Sequence, residues 1–137
     1  MIKKLLNTRI YVLDHDQALG FYRDILGFEV HTDKTGENGF RWLTVSPNAQ
    51  PDFEIALIKV EPGPVMSAES AEQIRVLLEQ GAFGFGVFET DDCRGDYEAW
   101  SKKGVRFKEP PRDQYYGIEA TVQDNSGNWF SLIERKK

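Results

Sequence analysis

The sequence predicts an α+β fold made of two similar βαβββ modules, and three observations support this. Equivalent landmarks recur at an offset of 77 residues: Asp14 and Asp91, Gly27 and Gly104, and Glu54 and Ser131. Each aspartate precedes a stretch with helical periodicity that ends at the glycine. The flanking segments have the residue types of strands. Two repeats are too few for a solenoid, so the copies must close on each other or on another chain, which indicates halves that enclose a crevice.

The first module is predicted over residues 1–60. A strand is expected over residues 5–13, where apolar and β-branched residues alternate. Asp14 or Asp16 then caps a helix, and Gly27 suits the left-handed conformation that ends it. Three further strands are expected over residues 28–33, 40–46 and 53–60, with a turn at residues 35–39 between the first two.

A linker and a short helix are predicted over residues 61–82. Pro62-Gly63-Pro64 fits neither a helix nor a central strand, and apolar residues at helical spacing predict the helix over residues 70–80. The second module, residues 83–137, repeats the pattern. Its elements are a strand at 83–89, a helix at 92–103, a strand at 105–108, a loop at Pro110-Pro111 and a hairpin of strands 116–123 and 128–134. We therefore treat residues 1–137 as one domain built from two repeats.

Charge and composition limit the partners. The chain has 17 Lys and Arg against 22 Asp and Glu, a net charge of −5, so nucleic acid and anionic membranes are unfavourable partners and a cationic small molecule is favoured. No apolar run approaches the roughly 20 residues of a membrane span. Cys93 is the one cysteine, which excludes an internal disulfide and agrees with a cytoplasmic location.

Short motifs along nearly the whole chain resemble one known superfamily. They are Tyr11-Val12-Leu13-Asp14, Ala18-Leu19-Gly20-Phe21-Tyr22, Leu26-Gly27-Phe28-Glu29-Val30, Arg41-Trp42-Leu43-Thr44-Val45, Phe88-Glu89-Thr90-Asp91-Asp92, Lys103-Gly104-Val105-Arg106-Phe107 and Asp124-Asn125-Ser126-Gly127-Asn128. They are similar to motifs of the vicinal oxygen chelate superfamily, which groups glyoxalase I, extradiol dioxygenases and bleomycin resistance proteins. The resemblance implies a curved mixed sheet around a cleft that a second subunit often completes, and hence a homodimer.

The resemblance also implies where a metal would bind. Enzymes of this superfamily hold a divalent metal with four side chains, usually His or Glu, and the matching positions here are Asn7, Glu54, Phe85 and Ser131. Only Glu54 is a strong ligand, and Phe85 cannot coordinate. We therefore expect no metal cofactor. The alternative is a divalent metal held by non-standard residues, such as Glu54 with His31 and water.

The leading functional hypothesis is a metal-free protein that binds a planar apolar or cationic small molecule in an aromatic-lined cleft, as the bleomycin resistance branch suggests. The candidate ligand-binding residues are Asn7, Arg41, Trp42, Glu54, Phe85, Tyr115, Tyr116, Trp129 and Ser131. One alternative is a metal-dependent lyase, isomerase or ring-cleaving dioxygenase of the glyoxalase kind. Another is a scaffold that only dimerises, with a filled crevice.

Several of these side chains have a second interpretation. Arg41 either neutralises a ligand carboxylate or pairs with a surface carboxylate. Tyr115 and Tyr116 are expected on a mobile loop that closes over a ligand or packs in a dimer. His15 is expected to be solvated. Cys93 follows two aspartates, whose charge opposes thiolate formation, so it is expected to be a small helix residue and not a nucleophile.

Overall fold

The computed structural model describes residues 1–137 and contains eight strands arranged in two four-stranded mixed sheets. The chain divides into two compact units, Met1–Val76 and Leu77–Lys137. Each sheet belongs to one unit, and both units have the predicted βαβββ order. The α+β fold class is therefore confirmed.

The first unit forms a sheet in which the first and last strands are neighbours. Its elements are β1 (Asn7–Val12), α1 (His15–Leu19), a π-helical segment that continues α1 (Gly20–Ile25), β2 (Glu29–Thr35), β3 (Arg41–Ser46) and β4 (Glu54–Lys59). The strand order is β1-β4-β3-β2. Strand β1 is parallel to β4, while the other pairs are antiparallel.

The second unit repeats this topology. Its elements are β5 (Gly84–Glu89), α3 (Cys93–Lys102), β6 (Arg106–Gln114), β7 (Gly117–Gln123) and β8 (Trp129–Arg135). The strand order is β5-β8-β7-β6, with β5 parallel to β8. Helix α2 (Ala68–Glu79) precedes β5 and includes the point where the chain passes from the first unit to the second.

Aspartates cap the first helix of each unit, as predicted. Asp14 Oδ2 accepts a hydrogen bond from the backbone N–H of Gln17 at 2.8 Å, so Asp14 and not Asp16 is the cap. In the second unit the cap is Asp92, whose Oδ1 accepts from the N–H of Gly95 at 2.9 Å. The equivalence of Asp14 and Asp91 in the sequence is therefore displaced by one residue in the structure. These caps satisfy donors that the first helical turn leaves free.

Buried apolar side chains line one face of each sheet, and in the first unit the other face of β3 and β4 is buried as well, at Thr44, Ala56 and Ile58. In the first unit Leu43 and Val45 of β3 and Leu57 of β4 are fully buried, and Ile55 of β4 is 2% exposed. In the second unit the buried ring of Phe130 packs against Phe85 and Phe88, with ring centroids 5.4 and 5.0 Å away. Burial of these large side chains is the main stabilising contribution in a domain of this size.

Strand β6 differs from its prediction. Pro110 and Pro111 were expected to form a loop, but the strand continues through both to Gln114. It is the edge strand of its sheet, and its pairing with β7 shifts between Glu109 and Arg112. A proline removes a hydrogen-bond donor, which an edge strand tolerates where its pairing is interrupted. The loop prediction was therefore wrong.

Gly127 provides a test of the packing in the second unit. Its φ of +115° is unfavourable for other residues, and an added Cβ would overlap the carbonyl oxygen of Leu78. We expect Gly127→Ala to lower the free energy of unfolding by about 2–4 kcal/mol. Gly20→Ala is the matched control, because Gly20 has helical φ and nothing within 4 Å of the new Cβ. Denaturant unfolding measures both, and equal stabilities would contradict this packing.

Candidate functional site

Two of the predicted site residues are neighbours on the first sheet. In the parallel pairing of β1 with β4, Asn7 lies opposite Glu54. In the pairing of β3 with β4, Thr44 lies opposite Ala56, two residues beyond Glu54. Since strand residues alternate between faces, Asn7, Glu54 and Thr44 share one face, opposite to the face of Leu43 and Leu57.

Glu54 is the centre of a polar cluster on this face. Its Oε1 accepts a hydrogen bond from Thr44 Oγ1 at 2.7 Å and lies 3.0 Å from His31 Nδ1. His31 reaches this position from β2, where the register shifts between Val30 and Thr32. The Glu54 side chain is 22% exposed, so it is neither a free surface carboxylate nor fully sequestered.

Ser46 adds a buried hydroxyl to the same face. It lies two residues after Thr44 on β3, so alternation puts both side chains on one side of the strand. The residue is 3% exposed, and its Oγ has no hydrogen-bond partner. A buried hydroxyl without a partner costs about 1–3 kcal/mol, so this atom is suited to a water or ligand group.

Trp42 supplies an aromatic surface on the same face of β3. Its ring is half-buried, and the guanidinium of Arg9 lies over it, with Cζ 5.7 Å from the ring centroid. Arg9 follows Asn7 by two residues on β1 and so shares its face. We call this set the first-sheet site; it consists of Asn7, Arg9, His31, Trp42, Thr44, Ser46 and Glu54.

The donors of this site do not fit a divalent transition metal. Such an ion requires three or four N, S or carboxylate ligands, and the site offers one carboxylate and one imidazole, which already contact each other. No group of three or more His, Cys, Asp or Glu side chains in the structure is arranged to hold a metal. Asn7 adds only a neutral amide.

Arg41 is engaged elsewhere. Its guanidinium forms two hydrogen bonds to Asp33, at 2.8 and 2.9 Å, and one to Asp16, at 3.0 Å. The pKa of Arg41 is raised, first by the bond to Asp33 and then by the bond to Asp16. With both carboxylates in place, this cation is already neutralised, which favours the structural interpretation of Arg41 over ligand binding.

In the second unit the predicted site residues Phe85, Trp129 and Ser131 have different neighbours and form no shared cluster. The Phe85 ring is partly buried and packs with Phe88 and Phe130. The register shifts between Gly84 and Val87, and Val87 is the residue that lies opposite Ser131. The ring of Trp129 covers Gly84, where an added Cβ would overlap it. Lys108 Nζ lies 5.6 Å from the centroid of that ring.

Tyr115 and Tyr116 form a short turn between β6 and β7, where Gln114 pairs with Gly117. Tyr115 is 88% exposed, whereas the Tyr116 hydroxyl donates a hydrogen bond to Glu119. The conformation of a two-residue hairpin turn is constrained by the twist of its flanking strands. The two tyrosines thus occupy a two-residue turn, and their closure over a ligand or packing in a dimer stays a prediction.

His15 and Cys93 are both held by the protein. His15 was expected to be solvated, but its Nε2 lies 3.0 Å from the carbonyl oxygen of Leu57, and partial burial lowers its pKa. Cys93 is fully buried, and burial, with Asp96 and Glu134 nearby, raises its pKa to about 11. A thiol with this pKa is a poor nucleophile at neutral pH.

Four members of the first-sheet site were not among the predicted ligand-binding residues: Arg9, His31, Thr44 and Ser46. Strand alternation from Asn7 identifies Arg9, and alternation from Trp42 identifies Thr44 and Ser46. His31 could not be placed in this way, because the irregularity in β2 changes which side its side chain takes.

The paired βαβββ topology is that of a glyoxalase-like protein. The chain belongs to the Glyoxalase/Bleomycin resistance protein/Dioxygenase superfamily, whose family model matches residues 4–132. A curated relative, the uncharacterised protein YurT of Bacillus subtilis (strain 168), is 32% identical over 135 residues, 96% of this chain and 99% of that protein.

Two solved structures are similar over almost the full chain. UcmS2 is 41% identical with a TM-score of 0.92, covering 98% of this chain and 99% of that one. TnmS3, described as an antibiotic binding protein from Streptomyces sp. CB03234, is 25% identical with a TM-score of 0.75, covering 98% of each. In this chain, no helix has the length and apolar character needed to cross a membrane.

Cys93 provides a test of burial near α3. At about pH 8 the native thiol should react with a thiol reagent about 100-fold more slowly than the unfolded chain, because far less thiolate is present. Its pKa is raised on folding, so its contribution to stability is present below the ordinary value of 9.0 and is lost as pH rises through about 11. Equal labelling rates for native and unfolded protein would contradict a buried thiol.

Proposed function

We propose that this protein is a metal-free small-molecule binding protein that holds a planar ligand on the first-sheet site. The observation that carries the proposal is the presence of Trp42 and a partly buried polar cluster on one face of one sheet. Ligand sites typically combine an aromatic surface with a few fixed polar groups. Flat molecules gain affinity by stacking on an indole ring.

The polar cluster orients the ligand through hydrogen bonds. Oε1 of Glu54 is held by Thr44 and His31, which fixes the carboxylate. Oε2 can then accept a hydrogen bond from a ligand hydroxyl or N–H group. The Ser46 hydroxyl is the second free group. Since these groups are fixed before a ligand arrives, little ordering is required on binding.

The comparison with TnmS3 supports this class of function. That protein is described as antibiotic binding, and its structure is similar over 98% of this chain. The same fold also carries enzymes, so the similarity alone does not select between binding and catalysis. The donor set of the first-sheet site favours binding, because it offers one carboxylate and one imidazole, fewer strong donors than a metal-dependent reaction in this superfamily uses.

The second candidate is a divalent-metal enzyme, a lyase, isomerase or dioxygenase. One observation favours it: His31 Nδ1 and Glu54 Oε1 lie only 3.0 Å apart, so the two strongest donors of the site converge. Asn7 is opposite Glu54 and could add a weak third donor. Water would have to complete the coordination.

The binding proposal predicts a specific loss at Trp42. In a panel of planar dyes and drugs followed by thermal shift, some compound should raise the Tm of the protein. Trp42→Leu should weaken binding of that compound about tenfold, because stacking is lost. Trp42→Phe is the matched variant and should keep most of the affinity. Absence of stabilisation by any planar compound, or equal affinity of the Leu variant, would contradict the proposal.

The metal alternative predicts a different result. We expect purified protein to contain far less than one Zn, Ni, Fe or Mn ion per chain by elemental analysis, and calorimetric titration with each ion to show no tight binding. Stoichiometric metal that is lost in Glu54→Gln and retained in Glu61→Gln, a change at an exposed glutamate, would favour the enzyme.

A further inference from the structure

We propose that the ligand of the first-sheet site is a planar molecule with an acidic group, which binds as an anion with its charged edge at Arg9. This inference rests on the proposed function and adds the sign of the ligand's charge. It opposes the cationic ligand that the net charge of −5 favours. Local charge at the aromatic surface, and not the total charge, decides which ligand is attracted.

Arg9 differs from most arginines of the chain. Six of the eight arginines form ion pairs with carboxylates: Arg23, Arg41, Arg75, Arg94, Arg112 and Arg135. Arg9 and Arg106 do not. Arg9 is exposed and lies over Trp42. In a protein with more acidic than basic residues, this guanidinium forms no ion pair with a carboxylate and lies where a flat ligand would stack.

The register of β1 explains why Glu54 does not neutralise Arg9. Asn7 is the residue opposite Glu54, while Arg9 lies opposite Ala56. The small side chain of Ala56 leaves the guanidinium room to reach Trp42. Glu54 is meanwhile held by Thr44 and His31. The site therefore has a cationic end at Arg9 and a separate acidic end at Glu54.

A cation over an indole ring changes what the ring can bind. Arg9 takes the position that a cationic ligand would use for its own cation–π contact, and it repels that ligand. Arginine stacked on an aromatic ring keeps its N–H edge available, and that edge matches a carboxylate or phenolate. An anionic planar ligand can therefore stack and form charge-assisted hydrogen bonds at the same time.

The second unit also has a cationic side chain over a tryptophan ring. Lys108 Nζ lies 5.6 Å from the centroid of the Trp129 ring. It donates a hydrogen bond to the carbonyl oxygen of Gly81 at 3.3 Å and forms no ion pair with a carboxylate. Trp42 and Trp129 thus each have a cation without a carboxylate partner, which makes a positive charge beside the tryptophan a feature of both units.

The test compares three probes that share one ring system: anthracene carboxylate, hydroxymethyl anthracene and aminomethyl anthracene. Affinities are measured by calorimetry at neutral pH and low salt. We expect the carboxylate to bind about tenfold more tightly than the ammonium compound. Arg9→Met should bring the ratio of the carboxylate and ammonium affinities close to one, and Arg9→Lys should keep a preference for the anion. Arg106→Met is the matched control, because Arg106 is the other arginine without an ion pair, and it should leave the ratio unchanged.

The results distinguish the charge of the ligand, the role of Arg9 and the proposed function. Equal or tighter binding of the ammonium compound by the unaltered protein would overturn the anionic ligand and leave the planar-ligand proposal standing. An unchanged ratio in Arg9→Met would overturn the role of Arg9. Failure of all three probes to bind, including the neutral one, would overturn the proposed function and this inference together. The comparison of probes on the unaltered protein does not depend on the folding of any variant.

Discussion

The parallel pairing of β1 with β4 is the constraint on which the site depends. It joins the first and last strands of the module and places Asn7 opposite Glu54 and Arg9 opposite Ala56. A slip of one residue would turn every side chain of β1 to the other face of the sheet. The apolar face specifies this register, because residues such as Ile10 and Val12 must remain buried. The core of the first unit thus determines which polar side chains the opposite face presents.

The same topology has different chemical consequences in the two units. In the second unit β5 is parallel to β8, but the register shift after Gly84 brings Val87 opposite Ser131, while the partly buried Phe85 packs against Phe130. An aliphatic residue and a hydroxyl there replace the amide and carboxylate of the first unit. The repeated fold is therefore compatible with a functional site that is concentrated in one repeat, where Glu54, His31 and Thr44 are linked by short polar contacts.

Much of the fold could be predicted from the sequence, because the caps, glycine stops and strand alternation are local signals. Strand bounds agree to within a few residues, apart from β6, where edge position and irregular pairing accommodate Pro110 and Pro111. The site was less predictable. Arg41 is bound by Asp33 and Asp16, contacts that depend on distant strands and helices. The placement of His31 depends on an irregularity in β2 that no local pattern indicates.

The most direct test of the account uses the three indole N–H signals in a two-dimensional NMR spectrum, assigned with Trp→Phe variants. Trp42 lies in the first-sheet site, whereas the Trp100 ring stacks on Phe107 in the second unit, with centroids 6.4 Å apart. Titration with a planar anionic aromatic compound is predicted to shift the Trp42 signal in a saturable manner and to leave the Trp100 signal in place. A shift confined to Trp100, or no change at Trp42 while the compound binds, would contradict a ligand site on the first sheet.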